Sequence, residues 1–214
     1  MKELLKKLVI ITMLLALAAS IASCGKTDDK DGATSSDKNM MPDFEAEDFN
    51  GNKISNKMFK KNSVTVMSFW FNGCSACIGE MQDLEQLNNE LKAKGGAVVG
   101  VSVEGSDDNE FKEAKAIMEK KKATFTNIRI TSGQAMADYI NEIYAFPTTV
   151  FVNREGRIIG EPLTGTIDRY KNEIQKRIDE TVKNCIKVSL FFIYFCNICL
   201  IILHFACLHR RFLN

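Results

Sequence analysis

Histidine is almost missing from this chain. The two that exist, His204 and His209, both fall in the last dozen residues. The central sequence therefore cannot build a Ser-His-Asp or Cys-His nucleophile, and most zinc sites lose a usual ligand. An excess of charge of one sign is missing too. Lys plus Arg number 28 and Asp plus Glu 27, for a net charge of +1. With no basic patch interleaved with aromatics, nothing points to a nucleic-acid partner. No repeat of 20 to 50 residues is present. Cysteine, by contrast, occurs seven times, at positions 24, 74, 77, 185, 196, 199 and 207. Four of these crowd into residues 185–214, so three serve the rest of the chain.

The two ends differ from the middle. Residues 1–23 combine Lys2, Lys6 and Lys7 with an apolar run, Leu8 to Ala19, and then small residues. That is the composition of an export signal rather than of folded protein. The run ends "IASC", which resembles a bacterial lipobox. That resemblance implies cleavage before Cys24 and lipid on its thiol, which would hold the protein at a membrane surface. An uncleaved anchor or an ordinary signal peptide is the alternative. Residues 24–40 follow as a polar, Gly/Ser/Asp/Lys-rich tether with no apolar periodicity. At the far end, residues 185–214 include Val188 to Leu208, uncharged and long enough to cross a bilayer as a helix. The arginines that follow favour a cytoplasmic end. This tail reads either as a transmembrane helix or as translated frameshift or read-through sequence. Its "CNIC" fits CxxC, but it lies inside the apolar segment and gains no chemical reading there.

Residues 41–184 form one domain. "PDFEAEDFNGNKIS" (Pro42 to Ser55) predicts two short strands around Asn50-Gly51. "SVTVMSFWF" (Ser63 to Phe71) predicts a buried central strand. The period then changes: Ile78, Met81, Leu84, Leu87 and Leu91 lie three or four apart, on one face of a helix from Ser75 to about Lys94. A second buried strand is expected over Ala97 to Glu104 and a second helix over Asp108 to Lys122. Phe125 to Ile130 reads as an outer strand and Gln134 to Tyr144 as a short helix. Thr148 to Gly160 reads as a hairpin turning at Arg154 to Gly156, and Thr166 to Asn184 as a closing helix. This order predicts an α/β fold, a mixed sheet with helices on both faces.

The chemistry sits at "FWFNGCSACIGEM" (Phe69 to Met81). Cys74 falls where the strand ends and the helix begins. There unpaired backbone N–H groups and the helix dipole favour thiolate over thiol. The thiolate is the attacking species, so Cys74 is the candidate nucleophile. Cys77, one turn on, is placed to resolve the resulting mixed disulfide. Three plainer readings remain: half of a zinc site, a structural disulfide, or two ordinary buried cysteines. The first lacks a second pair and any histidine within the domain, and the second restrains too short a loop to gain much entropy.

The strand–CxxC–helix unit, "AFPTTVFVNREGRIIG" (Ala145 to Gly160) and the closing helix together resemble a thioredoxin-like fold. The opening hairpin, the helical insertion around Asp108 to Lys122 and the lipobox narrow the likeness. They resemble the TlpA/ResA-like membrane-tethered thiol-disulfide oxidoreductases of the AhpC/TSA-redoxin superfamily. The resemblance implies a cis peptide bond before Pro147, a client strand pairing near Phe146, and Trp70 beside the site with packing as its ordinary job. It implies that Glu80, of "CSACIGE", relays protons for Cys77; a first-turn carboxylate complementing the helix dipole is the plainer reading. It also implies exported cysteine-containing clients, a membrane thiol electron donor, and no cofactor or metal. Where thioredoxins carry a buried aspartate this chain has Ser68, and Ser75-Ala76 between the cysteines leaves the direction of electron flow open. The expected function is a lipid-anchored extracytoplasmic oxidoreductase, a disulfide reductase for exported proteins. A peroxiredoxin-like peroxidase needs a Pro/Thr-bearing loop that "FWFNGC" lacks. A binding lipoprotein on an inert thioredoxin scaffold is the alternative from another class, and slow alkylation of Cys74 would favour it.

Overall fold

The computed structural model describes residues 39–104 and 107–187. All belong to one compact unit, Asp37–Asn214. The leader, Cys24 and the apolar stretch 188–208 lie outside the described residues. No helix among the described residues is long and apolar enough to cross a membrane.

Seven strands form one mixed sheet. In chain order they are β1 (Glu45–Asp48), β2 (Lys53–Ser55), β3 (Val64–Trp70), β4 (Ala97–Ser102), β5 (Thr126–Ser132), β6 (Thr148–Asn153) and β7 (Leu163–Thr164). Their spatial order is β2-β1-β5-β4-β3-β6-β7, with β3, β4 and β5 parallel and the other pairings antiparallel. The helices are α1 (Ser75–Gly79), α2 (Met81–Ala93), α3 (Asp108–Lys120), α4 (Gln134–Asn141) and α5 (residues 171–187).

Period-two alternation along β3 divides the core into two layers. Val64, Val66 and Trp70 point to one side, where Met81, Leu84, Leu87 and Leu91 of α2, Met118 of α3 and Ile174 and Ile178 of α5 cover them. Met67 and Phe69 point to the other, packed with Phe59 and with Met136 of α4. At the β1–β2 turn the Asp48 carboxylate accepts the N–H groups of Asn50 and Asn52, at 2.8 and 2.9 Å. Burial raises the Asp48 carboxyl, but the Asn52 side-chain amide, which donates to Oδ2, and these two N–H groups outweigh it and hold the carboxyl below its usual range.

Four expectations change. The strand expected at an outer position, β5, lies inside the sheet, because β1 pairs along it. The hairpin expected over Thr148 to Gly160 turns where predicted, with the Gly156 N–H on Asn153 O, but its return arm is short: a bridge from Val152 to Ile158, with Asn153 N–H on Arg157 O and Ile159 N–H on Phe151 O. Residues 39–41 pair along the other side of that arm: Ile158 N–H bonds Asn39 O at 2.7 Å and Met41 N–H bonds Gly156 O at 2.9 Å. Regular pairing to β6 resumes at β7. The helix from Ser75 is interrupted at Gly79-Glu80, consistent with the low helix propensity of glycine, and Ile78 is only half-buried. The closing helix opens with a 3-10 turn, Ile167–Tyr170, before α5.

Gly100 of β4 decides how the sheet supports the site. It lies between Ser68 on β3 and Asn127 on β5. The space above it lets the Trp70 indole N–H reach across a strand to Asn127 Oδ1 at 2.7 Å. A Cβ here would overlap Asn127 Oδ1 and stand 3.2 Å from Trp70 Nε1. Gly100→Ala is expected to cost about 2 kcal/mol, from overpacking and a broken buried hydrogen bond. Urea unfolding with Trp fluorescence checks this, since Trp70 is the sole tryptophan.

Candidate active site

Cys74 and Cys77 form a disulfide, with S–S 2.00 Å and Cα–Cα 5.3 Å. Cys74 is the N-cap of α1, and its Sγ accepts the Cys77 N–H at 3.1 Å. Its own N–H is held by Phe71 O at 3.0 Å, closing the turn that leaves β3. The two sulfurs are not equivalent: Cys74 is 7% exposed and Cys77 2%. The small Ser75 and Ala76 are exposed, yet Cys74 itself shows only this narrow face. An incoming group meets Cys74 first, while Cys77 sits among the core residues.

The turn before Cys74 is tied down from two sides, by contacts that sequence reasoning missed. The Asn72 N–H donates to Glu104 Oε2, and Asn72 Nδ2 donates to Glu110 O, each at 2.9 Å. Asn72 thus links the cysteine loop to the end of β4 and to α3, the helical insertion. Neither contact leaves a periodic signal, because the partners are 32 and 38 residues away.

The Phe146–Pro147 peptide is cis. Phe146 packs its ring against Phe71 with centroids 5.4 Å apart, which brings this turn alongside the cysteine loop. Pro147 O accepts the Gly165 N–H at 2.8 Å. Among the described residues, the Phe146 N–H and C=O make no hydrogen bond. This stretch of backbone, next to the ring contact with the cysteine loop, therefore has no partner within the described residues. Trp70 is 3% exposed with its N–H used by Asn127, and it packs in the same core layer as Cys74 and Cys77.

Glu80, at the junction of α1 and α2, is 3% exposed. Its Oε2 accepts the Ile167 N–H at 2.8 Å, while Oε1 is buried without a partner. Burial pushes the carboxyl up from 4.5 to about 7. The Ile167 N–H pulls the other way, Asp83 and Asp168 add to the rise, and Ser68 opposes it slightly. Ser68 approaches from β3, but neither its Oγ nor Glu80 Oε1 completes a hydrogen bond. A carboxyl balanced near neutrality, three residues from Cys77, can take up and return a proton at working pH. The Ile167 contact spans 87 residues and had no sequence signal. No cluster of metal-ligating side chains occurs among the described residues.

A thioredoxin-like sheet with a cystine at the start of a helix is the arrangement of a thiol-disulfide oxidoreductase. The comparisons agree. The AhpC/TSA family profile matches residues 38–160, and the chain belongs to that family. It is TlpA/ResA-like within it. The thiol-disulfide oxidoreductase ResA of Bacillus thuringiensis is 24% identical over 137 residues, 62% of this chain and 75% of that one. The crystal structure of the thioredoxin domain of a thiol-disulfide oxidoreductase from Bacteroides vulgatus superposes with TM-score 0.54 at 29% identity, covering 69% of this chain and 99% of that one. A putative thiol:disulfide interchange protein DsbE from Chlorobium tepidum shares the fold, with TM-score 0.56 at 22% identity over 67% of this chain and 96% of that one.

Proposed function

We propose that the protein is a lipid-anchored, extracytoplasmic reductase of disulfides in exported proteins. The observation that carries the chemistry is the unequal Cys74–Cys77 pair with Glu80 buried beside it. In the dithiol form, the Cys74 thiolate attacks a client disulfide. A mixed disulfide forms, and one client sulfur leaves as thiolate and takes a proton. Cys77 passes its proton to the Glu80 carboxylate and attacks Cys74 Sγ. That step expels the second client thiolate, which is protonated in turn, and regenerates the Cys74–Cys77 disulfide. The client gains two electrons and two protons, and a membrane thiol donor returns them to the protein. The unbonded Phe146 backbone supports pairing with an extended client segment, beside Pro147. Placement outside the cytoplasm rests on the leader and the "IASC" at Cys24.

The reduction potential of the pair in the full-length protein tests direction. It is read by mass spectrometry of the Cys74–Cys77 peptide after equilibration in thiol buffers. The expected value is near that of thioredoxin, about −270 mV. A value near about −120 mV would make the protein an oxidant that installs disulfides. Failure to exchange would leave a binding lipoprotein on a thioredoxin scaffold.

A further inference from the structure

Glu80 is sealed from solvent, and the proposed chemistry needs it to take up the Cys77 proton and release it in each cycle. What lies behind it is a cleft of about 210 Å³ between α2 and the segment that opens α5. Leu87, Ile167 and Ile174 form a buried floor, and Asp83, Asp168 and Lys171 stand at the exposed rim. Ile167 belongs to both places. Its N–H holds Glu80 Oε2, and its side chain floors the cleft. Asp168 is the next residue along, and Asp83 is one helical turn beyond Glu80, on the same side of the helix. Two carboxylates thus flank the buried one from separate elements.

We propose that Asp83 and Asp168 are positioning residues for thiol–disulfide exchange, acting through Glu80: two carboxylates that flank it from separate elements and favour its taking up the Cys77 proton. This rests on the proposed role of Glu80. The groups facing Glu80 are few. Ser68 approaches from β3 and does not titrate, Cys77 precedes it on α1, Asp83 follows on α2 and Asp168 lies on the 3-10 turn. Lys171 and Glu90 also line the cleft, Glu90 two turns beyond Asp83. Like charges disfavour ionisation of the buried carboxyl, and both aspartates act in that direction. The plainer role for each is an acidic residue in a first helical turn, favourable to the helix dipole.

The test is the pH dependence of iodoacetamide modification of Cys74 and Cys77 in the reduced full-length protein. Each peptide is read by mass spectrometry between about pH 5 and pH 9, a range that brackets the carboxyl and thiol titrations. Wild type is expected to show an inflection near neutrality that Glu80→Gln removes. In the Asp83→Asn/Asp168→Asn double variant the inflection is expected to move to lower pH by roughly half a unit at low salt. The difference from wild type should shrink in 1 M salt, where the screening length falls to about 3 Å. Both aspartates are exposed, so the substitutions leave the core intact. An inflection lost in Glu80→Gln but unmoved in the double variant, even with a lowered unfolding midpoint, overturns the inference and leaves the reading of Glu80 standing. An inflection that survives Glu80→Gln overturns both.

Discussion

Cys74→Ser is expected to abolish disulfide exchange, lowering its rate by more than roughly a thousand-fold, because a hydroxyl supplies no nucleophile comparable to a thiolate. The structure makes the loss one-sided. Cys74 Sγ has the exposed face and accepts the Cys77 N–H, whereas Cys77 is enclosed and has no open approach to a client. Cys77→Ser should therefore keep the first step and lose the second. It is expected to accumulate a mixed disulfide between Cys74 and the client, visible as an added mass on non-reducing analysis and released by a small thiol. The insulin reduction assay on both variants, beside wild type, separates the roles. Full activity in Cys74→Ser would show that the chemistry runs elsewhere in the chain. Rapid peroxide consumption by wild type, lost in the same variant, would instead place the protein with the peroxidases of its family.

How much of this was legible in the sequence follows from the range of each interaction. The alternation Val64, Val66, Trp70 against Met67, Phe69 is local, so β3 and its two faces could be read directly. The α2 stripe Met81, Leu84, Leu87, Leu91 was equally plain. The cysteine pair was read from its spacing at a strand–helix junction, whereas Pro147 and Glu80 were singled out by the family resemblance. Pairing between distant segments was not legible. Nothing in "FTNIRI" reveals that β1, about 80 residues earlier, lies along β5 and makes it an interior strand. Nor does "NREGRIIG" reveal that Asn39 to Met41 pair along its return arm. At the site, the contacts missed were those that fix geometry rather than supply reactive atoms: Asn72 to Glu104, Trp70 to Asn127 across Gly100, and Ile167 to Glu80. Each joins polar groups that look ordinary in sequence and gain meaning only from burial.

That burial has a measurable consequence for folding. Glu80 titrates at about 7 in the folded protein against 4.5 ordinarily, so between those values the native state holds a proton that the unfolded chain has released. Where the native state binds more protons, stability falls as pH rises. Below about pH 4.5 both states are protonated and the full contribution is present. It is lost progressively through pH 7, and above that an ionised carboxylate sits buried with Oε1 unpartnered. A difference of 2.5 units at 1.36 kcal/mol each corresponds to about 3 kcal/mol between the two limits. The oxidised protein is therefore expected to be less stable at pH 8 than at pH 5 by an amount that Glu80→Gln largely removes, because the amide stays neutral throughout. Urea unfolding of both proteins at the two pH values, with the disulfide intact, gives the difference of differences and cancels the other titrating groups. An equal pH response in wild type and Glu80→Gln would mean that the carboxylate is stabilised in the folded state by contacts beyond the Ile167 N–H. On the proposed reading, the carboxyl is kept for its proton rather than for its packing. The same variant should therefore raise stability at pH 8 while slowing the Cys77 resolving step.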